Sequence, residues 1–106
     1  MILVTGAAGK TGRAVTAALA ARGQAVRALV HRAERAETVL HAGAAAAVTG
    51  DLSSMDDMTA ACRGVEAVYH ICPNLHPDEV EIARTLLAAM EQAGVRRIVY
   101  HSVLHP

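Results

Sequence analysis

Residues 4–12 read VTGAAGKTG, and the spacing of the three glycines in that stretch decides the fold. Gly9-Lys10-Thr11 is how a phosphate-binding P-loop ends, but such a loop needs another glycine five residues before that Gly9. Position 4 is Val4, so the P-loop is excluded. Gly6, Gly9 and Gly12 instead form G-x-x-G-x-x-G. This is a variant of the dinucleotide fingerprint G-x-G-x-x-G, with Ala7 where the fingerprint has its first glycine.

The flanks support that turn. Residues 1–4 (MILV) are a short apolar run suited to a buried strand. From Arg13 to Arg22 the pattern is helical, with Val15, Ala18, Leu19 and Arg22 on one face and Gly23 as a stop. Strand, glycine turn and helix together aim backbone N–H groups and a helix dipole at a phosphate.

The chain has 106 residues, enough for one domain. With 53% apolar residues it is globular, and its core is aliphatic, since Tyr69 and Tyr100 are its only aromatic residues. Net charge is zero and no basic block occurs, so neither nucleic acid nor membrane is expected as a partner. No run approaches the roughly 20 apolar residues of a membrane span. Cys62 and Cys72 do not form a C-x-x-C pair and read as reduced thiols of a cytoplasmic protein.

Apolar and amphipathic segments then alternate. Strands are expected at 25–31, 45–49, 65–71 and 97–103. Helices are expected at 34–41, from Ser53 or Ser54 to about Arg63, and from Pro77 to Gly94. The last helix carries a candidate apolar stripe of Val80, Ala83, Leu87 and Met90. Five strands joined by helices imply right-handed crossovers and a parallel sheet. The fold class is α/β, a Rossmann-like doubly wound sheet in the order 3-2-1-4-5. Its ligand crevice lies at the carboxyl ends of strands one and four, where the order reverses.

Several segments now fall in a recognisable order: TGAAGKTG at 5–12, GDL at 50–52, VYHICP at 68–73 and GVRRIVYHSVLHP at 94–106. Together they resemble the amino-terminal half of an NmrA-like protein, among the atypical, extended-type short-chain dehydrogenases. The resemblance implies a partial NAD(P)-binding domain over 1–106, lacking the substrate region and the next strand of the sheet. It implies cofactor contacts from Gly6, Ala8, Gly9, Lys10, Thr11 and Gly12 at the pyrophosphate. Asp51 and Leu52 would lie at the adenine, and Ile71, Cys72 and Pro73 would follow strand four. Ser102 falls where related enzymes carry a catalytic Ser or Thr.

Charge argues the choice of cofactor. An acid at the end of strand two binds the ribose 2′-OH of NAD, whereas an arginine there accommodates the 2′-phosphate of NADP. This chain has His31-Arg32, then Arg35, with no acid before Glu34. NADP (as NADPH) is therefore expected over NAD. His31 stands where the family usually has arginine, so the grip passes to Arg32 or Arg35.

The reacting end is less complete. The Tyr-x-x-x-Lys pair of short-chain dehydrogenases is absent, because the only lysine is Lys10. The histidines at 31, 41, 70, 76, 101 and 105 show no metal-ligand spacing, and His70 and His101 read as core or crevice residues. Two functions remain open. One is the cofactor half of an oxidoreductase passing hydride from NADPH to a small carbonyl or quinone-type acceptor. The other is a non-catalytic, redox-sensing module acting through a protein partner. The unpaired edge of strand five predicts self-association.

Overall fold

The computed structural model describes residues 1–71 and 78–101. Strands β1 (Ile2–Val4), β2 (Val26–Val30), β3 (Ala46–Thr49), β4 (Ala67–Ile71) and β5 (Ile98–His101) alternate with helices. These helices are α1 (Lys10–Ala21), α2 (Ala36–His41), α3 (Met55–Cys62) and α4 (Glu79–Ala93), with a short 3-10 turn, Ala33–Arg35, leading into α2. The sheet order is β3-β2-β1-β4-β5 and every neighbouring pair is parallel, as the alternation of elements required. The register places Val4 between Ala28 and Tyr69, so β1 ends at the point where the strand order reverses.

The central strands are largely apolar because both faces are covered, with Arg27 in β2 and His70 in β4 as the polar exceptions. On one face Leu3, Leu29 and Val68 pack against Met58, Cys62, Leu86 and Met90 of α3 and α4. On the other, Val4, Ala28, Val30 and Ile71 pack with Val39, Val15 and Leu19 of α2 and α1. Successive strand residues point to opposite faces, which is how three-residue β1 feeds both layers. No helix among the described residues is long and apolar enough to cross a membrane.

Two helix faces differ from the sequence expectation. Helix α1 begins at Lys10 rather than Arg13, because Gly9 is extended (φ −73°, ψ 171°) and serves as the N-cap. Its contact line is Gly12 and Thr16, which are buried, while Ala18 is exposed. A bare Gly12 lets the helix backbone approach β1, and the line through Gly12 becomes the inner face. In α4 the buried stripe is Ile82, Leu86, Ala89 and Met90, whereas Val80 (64% exposed) and Leu87 (53% exposed) face outward. The helix carries apolar residues at two overlapping helical spacings, and packing against α3 selects between them. Gly94 stops it in the left-handed conformation at φ 76°, where glycine carries no Cβ penalty.

Helix α3 is held at both ends. The Ser54 hydroxyl accepts from the Asp57 backbone N–H at 3.2 Å, a side-chain cap of the expected kind. At the other end the Arg27 guanidinium reaches across from β2 and donates to the carbonyls of Ala61 (2.8 Å) and Arg63 (2.6 Å). A helix ends with carbonyls that lack intrahelical partners. A hydrogen bond from a charged donor to one of them contributes about 1.5 kcal/mol when partly buried. Among the described residues β5 is, with β3, one of the sheet's two edge strands. Ile98, Val99 and Tyr100, which alternate between its two faces, are all exposed.

Candidate functional site

The site is built around the turn between β1 and α1. Gly6 sits at φ 62°, in the left-handed region that glycine enters most readily. A Cβ there would also stand 2.7 Å from the carbonyl oxygen of Ile71. A Cβ on Gly12 would fall on the Gly6 carbonyl oxygen and lie 2.6 Å from Ala7 Cα. Gly9 is different. The nearest atom to a Cβ there is the Gly6 carbonyl oxygen, at 3.7 Å. Gly6 and Gly12 are thus required by the turn itself. The open space at Gly9 leaves backbone for a ligand to approach.

Helix α1 starts directly behind that opening. Its first intrahelical bond runs from Arg13 N–H to the Gly9 carbonyl at 2.9 Å. The N–H groups of Lys10, Thr11 and Gly12 precede it and have no intrahelical acceptor. They form, with the positive end of the helix dipole, a site suited to a phosphate.

In front lies a cavity of about 430 Å³, within the range of small-molecule and cofactor sites. Of the residues expected from sequence, Gly6, Ala8, Gly9, Lys10, Thr11, Gly12, His31, Leu52 and Ile71 line it. Ala7, Leu29, Val30 and Gly50 also line it and were not expected. Ala7 follows from the turn, and Val30 and Gly50 from the carboxyl ends of the neighbouring strands, a signal the sheet order already contained. Leu29 had no sequence signal beyond its apolar character.

Arg32, Arg35 and Asp51 are not part of the cavity lining. Arg35 nonetheless reaches the glycine turn, where a guanidinium N–H donates to the Ala8 carbonyl at 3.2 Å. Arg32 is the extended N-cap of the 3-10 turn and is exposed. Asp51 is engaged locally. Its carboxylate accepts from both the backbone N–H (2.8 Å) and the hydroxyl (2.7 Å) of Ser53, and its own N–H donates to Asp57 at 2.9 Å. The two Ser53 bonds, with a smaller contribution from the charge of His31, hold the Asp51 carboxyl below its ordinary pKa. Cys72, Pro73 and Ser102 lie outside the described residues.

Next to the turn, and not part of the cavity lining, sits a buried polar pair absent from the sequence expectations. The Thr5 hydroxyl lies 2.7 Å from His70 Nδ1 and accepts from the Ile71 backbone N–H at 3.0 Å. Both Thr5 and His70 are fully buried. His70 was expected only as a core or crevice histidine. A threonine abutting a glycine turn and a histidine within an apolar strand were the available signals, since buried polar groups need partners.

Comparison with known proteins agrees with this geometry. Residues 6–105 match a family described as NAD(P)H-binding. The chain is 35% identical over 99 residues to an NAD(P)H azoreductase of Xenophilus azovorans, covering 93% of this chain and 34% of that protein. It is 40% identical over 107 residues to a (4-alkanoyl-5-oxo-2,5-dihydrofuran-3-yl)methyl phosphate reductase of Streptomyces griseus, covering 98% and 35%. An NADPH-dependent quinone oxidoreductase of Escherichia coli, solved with NADPH, superposes with a TM-score of 0.82 at 26% identity, covering 99% of this chain and 38% of that one. The chain spans about a third of the length of the curated relatives it matches. With the glycine turn, the phosphate-facing helix start and a match across nearly its whole length, the chain belongs to this NAD(P)H-binding family.

Proposed function

We propose that this chain is the NADP(H)-binding part of an NmrA-like reductase, whose full-length parent reduces a small carbonyl or quinone-type acceptor. The observation that carries the choice of NADP(H) is Arg35, whose guanidinium lies against the glycine turn at Ala8. The residues fit the cofactor in three places. The N–H groups of Lys10, Thr11 and Gly12 would receive the pyrophosphate, with Gly9 leaving room for its approach. Leu29 and Leu52 supply apolar walls for the adenine. Arg35, with His31 and Arg32 close by in sequence, would meet the 2′-phosphate, and no carboxylate comes before Glu34 to repel it. When bound, the cofactor supplies the hydride, and the chain's task is to position it. The azoreductase, the furanone reductase and the quinone oxidoreductase among the relatives support a reductase role.

Calorimetric titration with NADPH and NADH side by side tests the reading. NADPH is expected to bind about tenfold more tightly or better, on the scale of a charged hydrogen bond. Equal affinities would remove the case for NADP, and no binding of either would remove the site.

The same reading includes self-association. Exposed Ile98, Val99 and Tyr100 on the outer strand form the kind of edge that pairs with another chain. Sedimentation of the concentrated protein is expected to show dimers or larger species. A strict monomer would end that part of the proposal.

A further inference from the structure

Strand β1 ends at Val4, and the chain then turns away at Gly6. The Thr5 N–H still donates to the Tyr69 carbonyl at 3.0 Å, continuing the β1–β4 pairing by one bond. The next donor on β4, the Ile71 N–H, is met by the Thr5 hydroxyl at 3.0 Å. A side chain therefore completes the ladder where the backbone leaves it. The turn sits tight against β4, since the Ile71 carbonyl oxygen lies 2.7 Å from where a Gly6 Cβ would be.

The hydroxyl has one proton to place. His70 Nδ1, at 2.7 Å, takes it if the imidazole is neutral and carries its hydrogen on Nε2. The opposite tautomer would leave both the Thr5 proton and the Nε2 lone pair without a partner, so hydrogen-bond satisfaction selects the first. His70 Nε2 is buried and has no hydrogen-bond partner among the described residues. Among the described residues, the groups facing the ring are Thr5 beyond β1, Tyr100 of β5 in an edge-on contact at 5.3 Å, and the charge of Glu79 at the start of α4. Tyr100 in turn donates to Glu79 at 2.6 Å.

We propose that Thr5 and neutral His70 are positioning residues that hold the glycine turn in its phosphate-accepting shape, so that protonation of His70 loosens the turn and weakens dinucleotide binding. Protonation makes Nδ1 a donor, turns the Thr5 proton away from its acceptor and places a charge where Nε2–H has no partner among the described residues. Burial lowers the His70 pKa and Glu79 opposes that shift more weakly. The sign follows. A histidine whose folded pKa is depressed contributes stability that is fully present above its unfolded value of about 6.5 and is lost as pH falls toward the folded value. Dinucleotide binding should decline further down, as pH falls through the lowered folded value where His70 itself takes up the proton. This inference rests on the dinucleotide reading of the site.

The test uses NAD⁺ as probe, because the 2′-phosphate of NADP ionises near pH 6 and would add its own pH dependence. Thr5→Val is expected to weaken NAD⁺ binding about tenfold at pH 7.5, with Thr5→Ser restoring most of it, as for a lost buried hydrogen bond. His70→Asn keeps a neutral acceptor near the Nδ1 position. It should flatten the acid decline of the wild type. Nuclear magnetic resonance supplies a readout that needs no ligand. His70 is expected as the Nε2–H tautomer, and the Gly6 and Ile71 amides should shift with the His70 titration in the wild type but not in His70→Asn. Gly6 and Ile71 amides that stay still while His70 titrates would overturn the proposal. So would a Thr5→Val protein that binds like the wild type. If the wild type binds no dinucleotide but the amides follow His70, the cofactor reading fails and the positioning of the turn stands.

Discussion

Gly12→Ala is expected to abolish dinucleotide binding and to destabilise the fold by about 3 kcal/mol or more, the upper end for overpacking. The reason is what surrounds the missing Cβ. It would fall on the Gly6 carbonyl oxygen and lie 2.6 Å and 2.8 Å from the Cα and carbonyl carbon of Ala7. All three atoms are backbone, so no side-chain rotation can relieve the overlap. Either α1 withdraws from the turn or Gly6 gives up its left-handed conformation at φ 62°. The first removes the N–H groups of Lys10, Thr11 and Gly12 from the cavity, and the second breaks the turn. Domains of this size are stable by only about 5–15 kcal/mol, so the loss should be plain in urea unfolding. Gly9→Ala is the matching control. Its Cβ meets only the Gly6 carbonyl oxygen, at ordinary contact distance (3.7 Å), and alanine for glycine at a helix N-cap costs about 1 kcal/mol or less. That protein should fold and yet bind NADPH poorly, because the methyl occupies the ligand's approach. A Gly12→Ala protein with wild-type unfolding would mean that α1 does not press on the turn as described.

The same three glycines show how much of the molecule was legible in advance. Their spacing, the apolar run before them and the regular alternation afterwards led to the sheet order, because right-handed crossovers leave few topologies. That order placed the crevice at the carboxyl ends of β1 and β4, beside the glycine turn, while Val30 and Gly50 at the ends of the neighbouring strands went unnamed. What was not legible depends on contacts between distant residues. Helix α4 carries two overlapping apolar spacings, and only packing on α3 buries Ile82 and Leu86 while leaving Val80 and Leu87 outside. Arg27 reads as an ordinary charge in a strand until its guanidinium is seen on the end of α3, 34 and 36 residues away. Thr5 and His70 meet across 65 residues. Local pattern reports which residues are apolar and where the chain must turn. It does not report which polar group satisfies which.

Arg35→Met is expected to weaken NADPH binding about 10- to 100-fold, the range for a hydrogen bond to a charged group, while NADH affinity changes by about twofold or less. Methionine keeps much of the apolar stem and removes the charge, so packing at the surface is largely retained. Two arginines precede α2, and the structure distinguishes them. The Arg35 guanidinium already lies on the glycine turn, at the Ala8 carbonyl, whereas the Arg32 side chain makes no such contact among the described residues. The bond to Ala8 is long (3.2 Å) and exposed. A dianionic 2′-phosphate, with its stronger acceptors and bidentate geometry, would displace it. Arg32→Met should therefore cost less than Arg35→Met. The preference for NADPH should also shrink with added salt, because exposed charges are screened. If Arg35→Met lowered NADH and NADPH affinity equally, the guanidinium would be bracing the glycine turn through Ala8 and would not be reading the phosphate. If Arg32→Met carried the larger loss, the bond to Ala8 would mark where Arg35 rests while its neighbour selects the cofactor.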